Sequence, residues 1–223
     1  MSWPEQAIKI CGVRSVEAAV TAALAGADLI GMIFAPSKRQ IQPSLALEIV
    51  QAVRATAMPC QLVGVFANAS AAEINQLAQQ VGLDLVQLSG DEDPTIVNEI
   101  QFPMLKAVRL TNQNNEQAWY DIAQSHQHVR LVVDAHVPGS YGGAGVLADW
   151  SAAAQLAQTT PLLLAGGLEP NNVAQAIQAV APWGVDVSSG IETAGIKDLT
   201  KITQFVKTAQ QALDALRVAR RNS

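Results

Sequence analysis

The chain has 223 residues, 49% of them hydrophobic, 15% charged and 4% aromatic; that apolar content excludes a disordered chain, and the length suits one large α/β domain above the usual ~100–150 residue mode. Fourteen Lys+Arg against nineteen Asp+Glu leave a formal charge of -5, which argues against nucleic acid as a partner, since phosphate-backbone affinity rests on clustered positive charge. Two cysteines cannot frame a disulfide scaffold, the N-terminal residues lack a signal-peptide pattern, and no apolar run reaches the ~18–20 residues of a membrane helix, so a cytoplasmic protein with no membrane partner is expected.

Short β-branched runs alternate with alanine-rich helical segments. Ile8-Lys9-Ile10-Cys11 is the first strand, and a helix from about Ser15 carries Val16, Ala19, Val20, Ala23 and Leu24 at helical spacing. Leu29 to Phe34 precedes a helix bearing Leu45, Ile49, Val50 and Val53. Leu62 to Phe66 precedes a helix with Ile74, Leu77, Ala78 and Val81 behind a Ser70 N-cap. Leu85 to Leu88 leads to a short helix near Pro94, and Leu105 to Val108 to a helix around Glu116 to Ser125.

Leu131-Val132-Val133 is followed by a glycine-rich loop and a helix near Trp150 to Ala157. Leu162-Leu163-Leu164 leads to Gly166-Gly167 and a helix from about Pro170, and Val185 and Val187 form the last strand. A final helix carries Leu199, Ile202, Phe205, Val206, Ala209, Leu213 and Leu216, with Arg217 to Ser223 expected to fray. Eight near-continuous apolar strands, each with a helix, predict a parallel sheet closed into a single (β/α)₈ TIM barrel over residues 1–223. A doubly wound sheet is the alternative, and it needs a topological switch point and usually fewer strands.

Three Gly-x-Asp triplets punctuate strand starts at Gly26-Ala27-Asp28, Gly82-Leu83-Asp84 and Gly184-Val185-Asp186. For Asp28 and Asp84 the reading is a glycine helix cap leading into a strand. Asp186 stands apart because its strand runs straight into a candidate ligand loop.

In such a barrel, chemistry collects where strands end and βα loops begin. Cys11 ends the first strand, Arg39 follows the second, Ser89-Gly90-Asp91 the fourth and Arg109 the fifth, and Asp134 ends the sixth. Gly166-Gly167 and Ser188-Ser189-Gly190 follow the last two strands, where small residues let backbone amides converge on a phosphate. Cys60, at the start of the third strand, lies at the opposite end from Cys11 and reads as a buried hydrophobe. Asp134 ends an apolar strand, where a carboxylate needs either a catalytic task or a loop to cap. His136 reads as a solvated loop residue. His126 and His128 lack partners at zinc spacing, so no metal is expected. Pro138 to Gly145 reads as a lid, and its glycines stand too far from a strand for a dinucleotide loop.

Lys9-Ile10-Cys11-Gly12, Ala25-Gly26-Ala27-Asp28-Leu29-Ile30-Gly31, Phe34-Ala35-Pro36-Ser37-Lys38-Arg39, Val86-Gln87-Leu88-Ser89-Gly90-Asp91-Glu92, Val133-Asp134, Gly142-Gly143-Ala144-Gly145, Asp149-Trp150, Leu164-Ala165-Gly166-Gly167-Leu168 and Gly184 through Glu192 together resemble the phosphoribosylanthranilate isomerases of tryptophan biosynthesis. The resemblance covers almost the whole chain in order. It implies a cofactor-free Amadori rearrangement of N-(5-phosphoribosyl)anthranilate, with Cys11 as general base and Asp134 as general acid. It further implies Arg39 for the anthranilate carboxylate, and a monomer or homodimer whose partner is the phosphorylated substrate. Ser89 stands where the family commonly has His, Ala144 where it has Thr, and Ala148 where it has Phe. Competing readings are another phosphate-binding barrel, such as the histidine-pathway isomerase or indole-glycerol-phosphate synthase, and a non-catalytic phosphosugar-binding barrel. The first of these is expected to carry Asp where Cys11 stands.

Overall fold

The computed structural model describes residues 3–110, 116–134 and 150–221. The strands are β1 (Ala7–Cys11), β2 (Leu29–Ile33), β3 (Gln61–Phe66), β4 (Leu85–Leu88), β5 (Met104–Val108), β6 (Val129–Asp134), β7 (Leu162–Ala165) and β8 (Gly184–Val187). They pair in parallel in that order, and β8 returns to β1, so the sheet closes into the expected barrel. Around it lie α1 (Val16–Ala25), α2 (Pro43–Ala55), α3 (Ala71–Val81), α4 (Glu116–Ser125), α5 (Trp150–Ala157), α6 (Val173–Val180) and α7 (Leu199–Arg221). The predicted glycine-rich lid and His136 fall outside the described residues.

Strand alternation sorts the core into two shells. Ile8 and Ile10 face outward and pack with helix residues such as Ala22, Ile49, Ile74, Ile177 and Phe205. Ala7, Leu29, Val63, Leu85, Leu105, Val132, Leu163 and Trp183 form a separate cluster inside the barrel, a layer of the kind that fills barrels of this class. Trp183 closes its N-terminal end. The ring stacks edge-to-face on Trp3 at 5.5 Å, carries the Arg130 guanidinium 3.9 Å from its centroid, and donates Nε1–H to Pro4 O at 3.0 Å.

The caps follow the residues that predict them. Ser70 and Glu73 form a reciprocal capping box on α3, and Ser15 accepts from Ala18 N at α1. Asp28 and Asp84 do structural work, as expected: each takes the amide of a neighbouring strand, Ile8 N at 2.8 Å and Leu62 N at 2.7 Å. Gly184 is no helix cap but a strand residue, and a Cβ there would meet Ala7 O at 2.0 Å, so only glycine permits β8 to close on β1.

Three segments differ from expectation. The helix near Pro94 is a 3-10 turn, Pro94–Asn98; five residues are too few for cooperative α-helical turns, although Ile96, Val97 and Ile100 pack on the core. Glu192–Thr193 (β9) and Ile196–Lys197 (β10) form a small hairpin between β8 and α7, turned by Ala194 and Gly195 at φ 52° and 78°. The last helix runs to Arg221 instead of fraying at Arg217, since Arg217 meets Asp214 and Glu5, and Arg220 donates to Ala181 O at 2.6 Å.

Candidate active site

Cys11, Gly31, Gln87, Ala107, Asp134, Ala165 and Asp186 continue the inward-facing alternation above the interior cluster, toward the strands' C-terminal ends. There a cavity of about 330 Å³ is lined by Gln87, Ser89, Lys106, Arg109, Asp134 and Asp186, among others. A larger cavity of about 980 Å³ opens at the other end, beside Trp3, Gln61 and Arg130, remote from every predicted site residue. Function in barrels of this class sits at the C-terminal mouth, so the smaller cavity is the candidate site.

Asp134 is exposed at the end of β6 and faces this cavity. Cys11 is buried at the end of β1 and is a free thiol, as is Cys60. Burial pushes the Cys60 thiol up to about 12 and keeps it protonated. Burial also pushes the Cys11 thiol up, but there Lys9 pulls back, Asp186 pushes up again and Lys197 pulls back. Lys9 is fully buried two residues before Cys11 and donates to Asp186 Oδ1 at 3.0 Å. Asp186 thus differs from Asp28 and Asp84, as its strand position suggests.

Gly12 follows Cys11 with φ 71°, and a Cβ there would lie 2.7 Å from Arg39 Cδ and 3.1 Å from Ser188 Oγ. The ends of β1, β2 and β8 therefore converge on one spot. A Cβ on Gly190 would stand 1.8 Å from Leu168 O, so the loops after β7 and β8 are in backbone contact and glycine is required. Gly166 and Gly167, at φ 90° and 64°, Ser188, and the single 3-10 turn Ser189–Ile191 form this joint rim.

Arg39 is not a solvated loop residue. Its Nε and Nη2 donate to Glu192 Oε1 and Oε2 at 2.6 and 2.8 Å. Lys197 Nζ meets the same carboxylate at 3.1 Å and Ser188 O at 2.8 Å. The hairpin thereby returns a lysine to the rim, a placement no local pattern encodes. The Arg39 hydrogen bonds, against the opposing effect of burial and helped by Lys197, hold the Glu192 carboxyl down to about 2. A carboxyl lowered on folding contributes stability above its ordinary value of 4.5, and that contribution is lost as pH falls toward 2. The difference in melting temperature between wild type and Glu192→Gln is therefore expected to be full near pH ~6 and to shrink below pH ~4 in calorimetry, and a constant difference would contradict it.

A second braced pair lies under the cavity. Lys106 donates to Glu92 Oε2 at 2.5 Å and Gly90 O at 2.6 Å, while Glu92 Oε1 accepts the amides of Asn68 and Gly90. Sequence reasoning passed over Lys106, although a lysine inside the apolar run Leu105 to Val108 was the available signal. Ser89 takes a hydrogen bond from Gln87 Nε2 at 3.0 Å.

The model of the family described as N-(5'phosphoribosyl)anthranilate (PRA) isomerase matches residues 8–208. An N-(5'-phosphoribosyl)anthranilate isomerase of Roseiflexus sp. (strain RS-1) is 52% identical over 210 residues, covering 92% of this chain and 98% of that protein. The crystal structure of the Thermotoga maritima phosphoribosyl anthranilate isomerase superposes with a TM-score of 0.79 at 35% identity, covering 92% of this chain and 99% of that one. A further isomerase structure, in complex with reduced 1-(o-carboxyphenylamino)-1-deoxyribulose 5-phosphate, superposes with a TM-score of 0.76 at 32% identity, with 92% and 99% covered. Sequence identity of this extent, spread over a closed barrel of the same architecture, leaves one assignment: the chain belongs to the N-(5'-phosphoribosyl)anthranilate isomerase family.

Proposed function

We propose that the protein isomerises N-(5'-phosphoribosyl)anthranilate to 1-(2-carboxyphenylamino)-1-deoxyribulose 5-phosphate at the C-terminal mouth of the barrel, with Asp134 as general acid and Cys11 as general base. The observation that carries the residue roles is their arrangement: Asp134 and Asp186 line one cavity, Asp186 holds Lys9, and Lys9 adjoins Cys11. A carboxyl group and a thiol thus stand at the same end of the barrel, joined through Asp186 and Lys9, as an acid–base isomerisation requires.

The reaction is an internal redox shift, with C1′ reduced as C2′ is oxidised, so it consumes no external electrons. Protonated Asp134 gives its proton to the furanose ring oxygen, and the C1′–O bond breaks to leave a Schiff base. The Cys11 thiolate takes the proton from C2′, and the electron pair moves to the nitrogen to give an enolamine. Ketonisation, with a proton added at C1′, yields the product. A thiol acts as base only when ionised, so a change in the Cys11 titration is expected to change the pH profile of kcat/KM.

Arg39 is the candidate for the anthranilate carboxylate. Glu192 occupies the Nε/Nη2 edge of its guanidinium, which leaves the Nη1/Nη2 end as a second planar fork. Arg39→Lys removes that fork and is expected to raise KM about 10- to 100-fold with a much smaller change in kcat, the size of a lost charge-assisted hydrogen-bond pair. An unchanged KM would move the carboxylate elsewhere. Gly166, Gly167, Ser188, Ser189 and Gly190 are the candidates for the phosphate, since a rim of closely approaching backbone suits an anion with several acceptor oxygens. The decisive assay follows the fluorescence of freshly generated N-(5'-phosphoribosyl)anthranilate on adding purified protein. Rapid decay supports the reading, and folded protein without turnover sinks it.

A further inference from the structure

We infer that Lys9 and Asp186 act on Cys11 as an opposed pair of positioning residues, Lys9 favouring the thiolate and Asp186 holding Lys9 in place while moderating its effect; as a statement about catalysis this rests on Cys11 being the base.

Lys9 has 0% of its surface exposed. A buried ammonium is costly unless paired, and Asp186 supplies the pair at 3.0 Å. Stability alone gives little reason to keep such a pair, because apolar residues of similar size are often as good or better. Its location gives a reason. Lys9 and Cys11 share the interior face of β1, and Gly31 of β2 lies across from Cys11 in register. A Cβ on Gly31 would be 3.0 Å from Cys11 Sγ and 3.2 Å from Lys9 Nζ. Sulfur and ammonium therefore converge on a space that β2 leaves empty by carrying no side chain there. One N–H of Lys9 serves Asp186, and the ammonium and the sulfur face the same gap over Gly31, so their charges interact.

The other charged groups facing the thiol come from different elements. Lys197 on the hairpin and Arg39 in the loop after β2 both interact with it electrostatically, and both are tied to Glu192. Their charge is partly spent on that carboxylate. Among the described residues, Lys9 is the cation that shares the thiol's face of β1, and Asp186 is the anion paired with it. Removing the two should therefore move the thiol in opposite directions.

The experiment is a thiol titration in a Cys60→Ala background, so that Cys11 is the only cysteine, using the pH dependence of alkylation by iodoacetamide. Lys9→Met is expected to raise the midpoint by about 1–3 pH units and Asp186→Asn to lower it by about one, with Lys9→Met/Asp186→Asn between them. The double variant also guards against a misfolded Lys9→Met, whose buried Asp186 would lose its partner. Near-UV circular dichroism identifies folded samples. Midpoints that move in the same direction, or that do not move in folded protein, overturn the inference. Opposite shifts in the titration with no accompanying change anywhere in the pH profile of kcat/KM would uphold the pair and remove Cys11 from the reaction, so the two readings fail separately.

Discussion

Cys11→Ala, Cys11→Ser and Asp134→Asn are each expected to lower turnover of N-(5'-phosphoribosyl)anthranilate by at least about 10²-fold, the usual loss when a general acid or base is removed. The reasoning is specific to each position. Asp134 is exposed at the end of β6, and asparagine keeps its size and one of its two oxygens beside the buried strand residues Leu131, Val132 and Val133. Cys11 is buried, but serine is smaller and alanine is apolar, so both fit the space. Serine in addition keeps a polar O–H in place of the S–H, while its much higher pKa denies it the anion. The two sites serve different steps, ring opening and C2′ deprotonation, and neither can substitute for the other. Turnover within a few-fold of wild type, in either folded variant, would withdraw that residue from its role. Single-turnover fluorescence is the appropriate measurement, because it separates chemistry from product release.

The barrel was legible in the chain because its determinants are local. Apolar runs of four to six residues, Ser70 with Glu73, and glycines at helix ends each act within a few positions. Strand alternation then decides which residues share a face, as Lys9 and Cys11 do on β1. The segment after β4 differs in its winding: a helical turn does start at Pro94, but it is a 3-10 turn of five residues.

What stayed hidden are pairings that only closure of the barrel creates. Arg39 and Glu192 are 153 residues apart, and Lys9 and Asp186 are 177 apart. Glu192 was visible as the end of a motif, yet nothing in its neighbours says that it would take up one edge of Arg39. Lys197 reaches the rim only because Ala194 and Gly195 turn the chain back on itself. The aromatic plug of Trp3, Arg130 and Trp183 is of the same kind. Its parts lie in three separate segments and meet at the N-terminal end of the barrel, opposite the candidate site.

The other large effect expected is on stability, at Lys106. Its side chain is 4% exposed and that of Glu92 is 2% exposed, so this is a fully desolvated ion pair. Lys106→Met keeps the length of the side chain and its packing against the Trp119 ring, which lies 5.3 Å from Nζ, but removes the charge that Glu92 and Gly90 O receive. Breaking a buried pair in this one-sided way costs about 3–5 kcal/mol. For a chain of this size that corresponds to a fall in melting temperature of roughly 6–20 °C, read by calorimetry or urea denaturation. Lys106→Met/Glu92→Gln should recover much of the loss, because glutamine Oε1 can still accept the amides that hold the β4 loop while no carboxylate is left unpaired. Acid supplies an independent check. Burial pushes the Glu92 carboxyl up, but Lys106 and the Asn68 amide outweigh it and hold the group below its ordinary 4.5. Stabilisation from this group is therefore present above that value and lost as pH falls below it, so the gap between wild type and Lys106→Met should narrow in acid. A Lys106→Met protein within about 1 kcal/mol of wild type at neutral pH would show that the loop holds its shape without the pair. The β4 loop, including Ser89 at the cavity wall, would then owe its position to backbone contacts alone.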